Sequence, residues 1–289
     1  MPITHHRVLL AGFGASICLA QACTIIDPTD DPTVTAQMYR DEALLYPMVG
    51  KVTGSGYSGS GVLIADQWVL TAGHVAFAKT SGSFTVGGTS YSIQSTIIYP
   101  GYSFGSDPYD LGLLHLSTAV AGIGPATMLH SDAPASILGR EATWVGYGLT
   151  GTGLTGSHAP LEMRAFTNII DVLGPEYGLT ATSFVADFDR PDGSTNAESS
   201  TPVTTRLEGN LASGDSGGGV FITVDGSRYL VGINSYTGRF APGAASSYGS
   251  ISGATNLDLF QSWIYDQIPE PGMGWLCTLG SLLCLRRRR

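Results

Sequence analysis

The 289-residue chain is 43% apolar and 13% charged and carries 39 glycines. That composition excludes a disordered polar chain and leaves room for one domain with a sizeable core, or for two small barrels sharing a site. The net charge is −9, and five of the basic residues, Arg7 and Arg286 to Arg289, lie in the end segments, so the body repels nucleic acid and anionic membrane surfaces and neither is expected as its partner.

Residues 1–22 read as a secretory signal peptide. His5, His6 and Arg7 form a short basic start, Val8 to Leu19 an apolar run, and Ala20-Gln21-Ala22 the small-x-small pattern after which signal peptidase cuts. The alternative is a short buried helix. Cys23 raises a lipid-anchored variant, but Ala20 stands where a lipid-attachment box wants Leu. Residues 23–45, rich in Asp, Pro and Thr, read as a linker or pro-segment. The four cysteines, Cys18, Cys23, Cys277 and Cys284, all lie in or beside the end segments, which leaves the body without an internal disulfide, and they lack metal-ligand spacing.

From Pro47 onward short apolar runs alternate with glycine and serine. Val49 to Val52, Gly61 to Ile64, Trp68 to Leu70, Phe84 to Val86, Tyr91 to Ile98 and Leu111 to Leu116 read as strands, followed later by Ala142 to Val145, Val220 to Val224 and Tyr229 to Ile233. Short strands bounded by turn residues predict an all-β barrel or sandwich. One helix is expected near the end, where Leu257, Phe260, Trp263, Ile264 and Ile268 fall at helical spacing behind a capping Thr255 or Asn256. An acidic group, Asp187, Asp189 and Asp192 before Gly193, lacks EF-hand spacing and reads as a solvated loop. No cofactor or metal is expected.

The last segment, residues 269–289, holds Pro269-Glu270-Pro271, an apolar run from Gly272 to Leu285 and four terminal arginines. It resembles the PEP-CTERM sorting signal of Gram-negative bacteria. The run is shorter than the ~20 residues of a stable span, and the arginines resist crossing, which together describe a transient stop in the membrane. A plain tail anchor is the alternative.

Three short motifs carry the chemistry. Trp68 to His74 is a buried strand ending in a histidine. Asp110-Leu111-Gly112-Leu113-Leu114 is an aspartate leading into a strand. Gly214-Asp215-Ser216-Gly217-Gly218-Gly219 flanks a serine with glycines, so the chain turns sharply and backbone N–H groups converge on one point. An α/β-hydrolase elbow also fits the serine motif, but that fold needs a histidine after the serine, and the histidines stand at 5, 6, 74, 115, 130 and 158. A subtilisin order using Asp66 lacks the alternating helices of that fold. The order His74, Asp110, Ser216 matches the chymotrypsin arrangement.

Together these segments resemble the signature blocks of trypsin-like serine proteases over about residues 46 to 268. Tyr99-Pro100-Gly101-Tyr102, Val145-Gly146-Tyr147-Gly148 and Gly232-Ile233-Asn234-Ser235-Tyr236 resemble further parts of the same plan, and so does the closing helix. The resemblance implies two six-stranded antiparallel β-barrels of chymotrypsin type with a C-terminal helix, and a protease domain over 46–268. It implies Ser216 as nucleophile, His74 as general base and Asp110 as its orienting partner, with the N–H groups of Gly214 and Ser216 as oxyanion hole. Asn210 then falls at the base of the substrate pocket, with Ser213, Ser235, Tyr236 and Thr237 lining it. Gly73 and Gly219 replace residues more usual in the family. Many relatives salt-bridge the position of Asp215 with a freed Ile-Val-Gly-Gly terminus, and no such sequence stands about 40 residues before His74, so clipping between 23 and 45 is not expected to be a strict switch.

The expected protein is a serine endopeptidase acting on protein or peptide substrates. It would be exported through the inner membrane to the periplasm, outer surface or extracellular matrix of a Gram-negative bacterium. Signal peptidase and an exosortase-type processing enzyme are its expected partners, with transient membrane contact through the C-terminal tail. A catalytically decayed binding or adhesion module and an esterase with the same triad are the alternatives.

Overall fold

A computed structural model describes residues 23–54, 56–77, 81–103, 109–129, 136–158, 162–197, 204–240 and 242–268. The signal-peptide and sorting-tail readings fall on residues 1–22 and 269–289, outside the described residues.

The described chain opens with strand β1 (Thr24–Ile25) and helix α1 (Ala36–Ala43). Then come β2 (Val49–Gly54), β3 (Tyr57–Ala65), β4 (Trp68–Thr71), the short helix α2 (Gly73–Phe77), β5 (Ser83–Val86), β6 (Thr89–Ile98) and β7 (Gly112–Leu116). These six strands close into an antiparallel barrel in the order β2-β3-β4-β7-β6-β5. Val52, Leu63, Val69, Leu70, Phe84 and Leu113 fill it and are fully buried. Each such side chain contributes about 1.5–3 kcal/mol by leaving water.

The second half holds β8 (Glu141–Gly146), β9 (Thr150–Thr152), β10 (Gly156–His158), β11 (Arg164–Ile169), β12 (Val172–Leu173), β13 (Ser183–Asp187), β14 (Gly209–Asn210), β15 (Gly219–Val224), β16 (Ser227–Arg239) and β17 (Ser250–Asn256). A 3-10 turn at Leu257–Leu259, capped by the Asn256 side chain, leads into α3 (Gln261–Gln267). Seven of these strands form one sheet in the order β11-β8-β15-β16-β17-β13-β12, and four strands form another in the order β10-β9-β1-β14.

The expectation of two six-stranded barrels is therefore corrected: one barrel is closed, and the seven-stranded sheet is open. Its edges explain why. The outer edge of β11 is already occupied. Thr167 donates its N–H to Leu207 O at 2.9 Å and accepts the Thr205 hydroxyl on its own carbonyl at 2.9 Å, while α1 packs against the same strand. An edge satisfied by a loop and a helix has no free ladder with which to meet β12.

Residues 23–45 contribute β1 and α1 to this half. Cys23, Ile25, Ile26, Val34 and Tyr39 are buried in one cluster with Trp144, Phe166 and Phe184. Tyr39 donates its hydroxyl to Glu208 O at 2.8 Å.

Asp187 and Asp189 are 3% and 2% exposed rather than solvated; only Asp192 stands in water. Burial first, and then the Asp187 charge, push Asp171 up to about 8 and Asp189 up to about 7. A carboxyl with a raised folded-state pKa binds its proton more tightly folded than unfolded. Its contribution is present in acid and is lost as pH rises through the folded value. The melting midpoint of the wild type, relative to an Asp171→Asn variant, is expected to fall as pH rises from about 4 to about 8. Parallel pH curves for the two proteins would contradict this.

Candidate active site

Strand pairing brings the first two motif residues together. β4 and β7 are antiparallel neighbours with Thr71 opposite Gly112, so His74, just past the end of β4, and Asp110, just before β7, emerge at the same end of the barrel. Asp110 Oδ1 accepts the His74 backbone N–H at 2.8 Å, and Oδ2 lies 2.8 Å from His74 Nδ1. A carboxylate only accepts, so Nδ1 carries the hydrogen and Nε2 is left as the basic nitrogen.

Asp110 is 4% exposed. Burial is the largest influence on it and acts upward. The charge on His74, the hydrogen bonds from the His74 ring and Ser235, and the His74 N–H together outweigh burial and hold the carboxyl below its ordinary value. It stays ionised where a positive charge on His74 would need it.

Ser216 lies in the turn between β14 and β15, and the barrel reaches across to hold that turn. Ser60 on β3 donates its N–H to Ser216 O at 2.7 Å and its hydroxyl to Gly214 O at 3.0 Å. From the other side Gly217 donates to Asn234 O at 2.8 Å, and Asn234 Nδ2 donates to Asp215 O at 3.2 Å. Gly214 and Gly217 have φ of +99° and +87°, a region that side chains other than glycine rarely adopt. The Tyr57 phenol shares a hydrogen bond with the Ser216 hydroxyl, and the Tyr57 ring stands edge-on to His74 with centroids 6.5 Å apart. His74, Asp110 and Ser216 thus occupy one locality, with Tyr57 touching both His74 and Ser216.

The residues expected to line the pocket divide into two groups. Asn210, Thr237 and Ser252 form a closed network. Asn210 Nδ2 donates to Thr237 Oγ1 at 2.8 Å, Asn210 Oδ1 accepts from Ser252 Oγ at 2.8 Å, and Thr237 Oγ1 donates to Ile251 O at 3.0 Å. Asn210 is fully buried there. Glu208 faces away from this network, accepting the Thr205 N–H on Oε2 at 2.7 Å. Ser213 is exposed, and its carbonyl accepts Leu149 N–H at 2.8 Å. The Tyr236 ring lies over Gly253, where a Cβ would come within 2.1 Å of it.

Ser235 turns the other way, donating its hydroxyl to Asp110 Oδ2 at 2.5 Å. The register of β16 against β17 shifts between Asn234 and Tyr236 and skips Ser235, and a residue dropped from a ladder is free to aim its side chain elsewhere. Ser60, Tyr57 and Ser252 carry no motif and were not legible in the sequence. Among the described residues no group of three or more His, Cys, Asp or Glu is arranged to hold a metal ion.

The arrangement supplies a basic nitrogen oriented by a buried carboxylate, beside a serine in a glycine-flanked turn. That is equipment for proton transfer and nucleophilic attack. A family model described as Trypsin matches residues 37–264. A search of curated proteins finds no match.

Proposed function

The chain belongs to the trypsin family, and on that premise we propose that it is a serine endopeptidase working through Ser216, His74 and Asp110. The observation that carries this reading is the double contact of Asp110 with His74, at 2.8 Å to the backbone nitrogen and 2.8 Å to Nδ1. In this mechanism His74 Nε2 takes the Ser216 proton as Oγ attacks the scissile carbonyl. Asp110 stabilises the imidazolium, with Ser235 holding the second face of the carboxylate. The tetrahedral oxyanion is received by the N–H groups of Gly214 and Ser216, each worth roughly 3 kcal/mol in such sites. Collapse expels the amine, which takes the proton from His74 and leaves an acyl group on Ser216, and water releases it by the reverse sequence. The direct test is labelling of the purified protein with a serine-directed fluorophosphonate, together with digestion of an unbiased peptide library. Label on Ser216 and mapped cuts are expected. A folded protein that takes no label would favour a binding module instead.

For specificity, the Asn210–Thr237–Ser252 network supports a shallow pocket with no charge at its base. Small or medium uncharged side chains are expected there. An Arg substrate would bury a cation with no partner, so its kcat/KM should be about 100-fold or more below that of Ala or Leu substrates. Faster cleavage after Arg would defeat this reading.

Export is proposed from the end segments. Signal peptidase would cut after Ala22, and an exosortase-type enzyme would cut at Pro269-Glu270-Pro271 while the arginines hold the tail in the inner membrane. Mass spectrometry of the exported protein should then find a C-terminus between Pro269 and Pro271. Intact Arg289 on most of it would indicate a plain tail anchor.

A further inference from the structure

Tyr109 stands immediately before Asp110 with φ of +70°. Glycine adopts that conformation freely. A bulky side chain there is strained and stays only where its surroundings over-determine it. The backbone then folds tightly around the carboxylate. Leu111 N–H bonds back to Tyr109 O at 2.7 Å, a γ-turn with Asp110 at its centre, and the Thr255 hydroxyl of β17 donates to Asp110 O at 3.0 Å. A rotation of the Tyr109 backbone would swing the carboxyl off both the His74 N–H and Nδ1.

Aromatic rings supply the restraint. The Tyr109 ring, 39% exposed, stacks on Tyr99 with centroids 5.4 Å apart and planes inclined by 24°. It also covers Gly101, where a Cβ would lie 3.5 Å from it. Tyr99 is fixed in turn. Its N–H, just past the end of β6, donates to Leu111 O at 3.0 Å, and its ring meets Phe260 and Trp263 edge-on at 4.9 and 5.1 Å. Phe260 is buried and stands 6.4 Å from the Tyr109 ring at 83° to it. Stacks and edge-to-face contacts with centroids about 4.5–7 Å apart are the arrangements that aromatic rings prefer. Phe260 opens α3 and Trp263 lies within it, so packed rings run from the closing helix to the residue beside the carboxylate.

We propose that Tyr109 is a positioning residue for the reaction: clamped through Tyr99 against Phe260 and Trp263, its left-handed backbone sets the Asp110 carboxylate on His74 and makes the closing helix part of the catalytic frame. This deepens the serine-endopeptidase reading of the site and rests on it. Glycine would meet the backbone demand without strain, so what the tyrosine adds is the ring. Without the ring the backbone relaxes, the carboxylate drifts, and His74 loses orientation and counter-charge together. A misplacement of about 1 Å in such a frame costs on the order of 100-fold in rate.

The test compares the wild type with Tyr109→Ala, Tyr109→Gly and Tyr109→Phe. The readouts are steady-state kinetics, thermal melts and the low-field proton NMR signal of His74 Nδ1–H. Alanine keeps the φ demand and loses the ring, so kcat should fall about 30-fold with KM changed by less than about twofold. The acid limb of kcat/KM should move about half a unit lower, because a displaced carboxylate stabilises the imidazolium less. The low-field signal should broaden or move upfield. Glycine relieves the strain, so its melting midpoint should equal or exceed that of the alanine variant while its kcat stays as low. Phenylalanine keeps the ring and should bring kcat back to within about twofold of wild type. Should the alanine variant unfold, the glycine variant carries the same comparison. Recovery of kcat in the glycine variant would overturn the proposal, since activity would then merely follow stability. A raised KM at unchanged kcat would also overturn it, by making the ring a substrate contact. Wild-type kinetics in a folded alanine variant would overturn it alone. A folded wild type that neither cleaves peptides nor takes a fluorophosphonate label would overturn the endopeptidase reading, and this proposal with it.

Discussion

Ser216→Ala or His74→Ala is expected to lower peptide turnover by about 10⁴-fold or more, equivalent to about 5.5 kcal/mol of transition-state stabilisation. The losses should not add in the double variant, because base and nucleophile act as one unit. Neither change should unfold the protein. Ser216 is bound into the fold by its backbone, through the 2.7 Å contact of its carbonyl with Ser60, and His74 likewise by its N–H on Asp110 at 2.8 Å. Alanine keeps both of those bonds. Steady-state kinetics together with thermal melts would check this. A variant retaining more than a tenth of wild-type turnover would remove the residue from the assignment, whatever its melting behaviour.

Gly217→Ala is expected to damage both stability and turnover. The residue has φ +87°, and a Cβ there would stand 2.1 Å from Thr71 Oγ1 and 2.2 Å from Ser60 O. Neither neighbour yields easily, since Thr71 Oγ1 itself donates to Ser60 O at 2.7 Å. Left-handed strain of about 1–2 kcal/mol adds to about 1–3 kcal/mol of overpacking, and at roughly 2–4 °C per kcal/mol the melting midpoint should drop by about 10 °C. The only relief is to push the Ser216 turn away from the barrel, so kcat/KM should fall by about 100-fold as well. Calorimetry and kinetics on the same preparation would check both. Unchanged kinetics would mean that the turn tolerates displacement.

The barrel was legible because each of its strands carries its own signal. Val49 to Val52 or Leu111 to Leu116 is apolar enough, and well enough bounded by turns, to be read alone, and these segments lie in β2 and β7 or overlap it. Between β8 and β15 the strands are short and polar. In β11, Thr167 and Asn168 are buried only because partners far along the chain satisfy them: the Thr205 hydroxyl on Thr167 O, and Asp187 O and Gly209 O on Asn168 Nδ2. No local pattern announces such a strand, and none tells whether its sheet will close. The Asp- and Pro-rich segment hid Cys23, Ile25 and Tyr39 in the same way. At the site, the motif spacing singled out His74 and Asp110, whose contact is a local consequence of β4 lying beside β7. Ser60, Tyr57 and Ser252 reach the site by crossing from other strands, and the inward turn of Ser235 depends on a register shift that composition does not encode.

The seat of β1 bears on how this protein comes to be folded at all. Thr24 meets partners 186 and 222 residues downstream, and Tyr39 one 169 residues downstream. A chain made N-terminus first carries the slot-filling strand long before the slot exists. Closing loops of that length carries a large entropic cost that must be met before any contact rewards it, so this half should be the slow step of folding. The barrel, whose strands are all contributed by residues 49–116, can assemble first. Until nearly the whole chain is free to fold, the serine turn has no seated strand beside it, so the site is among the last parts of the molecule to be completed.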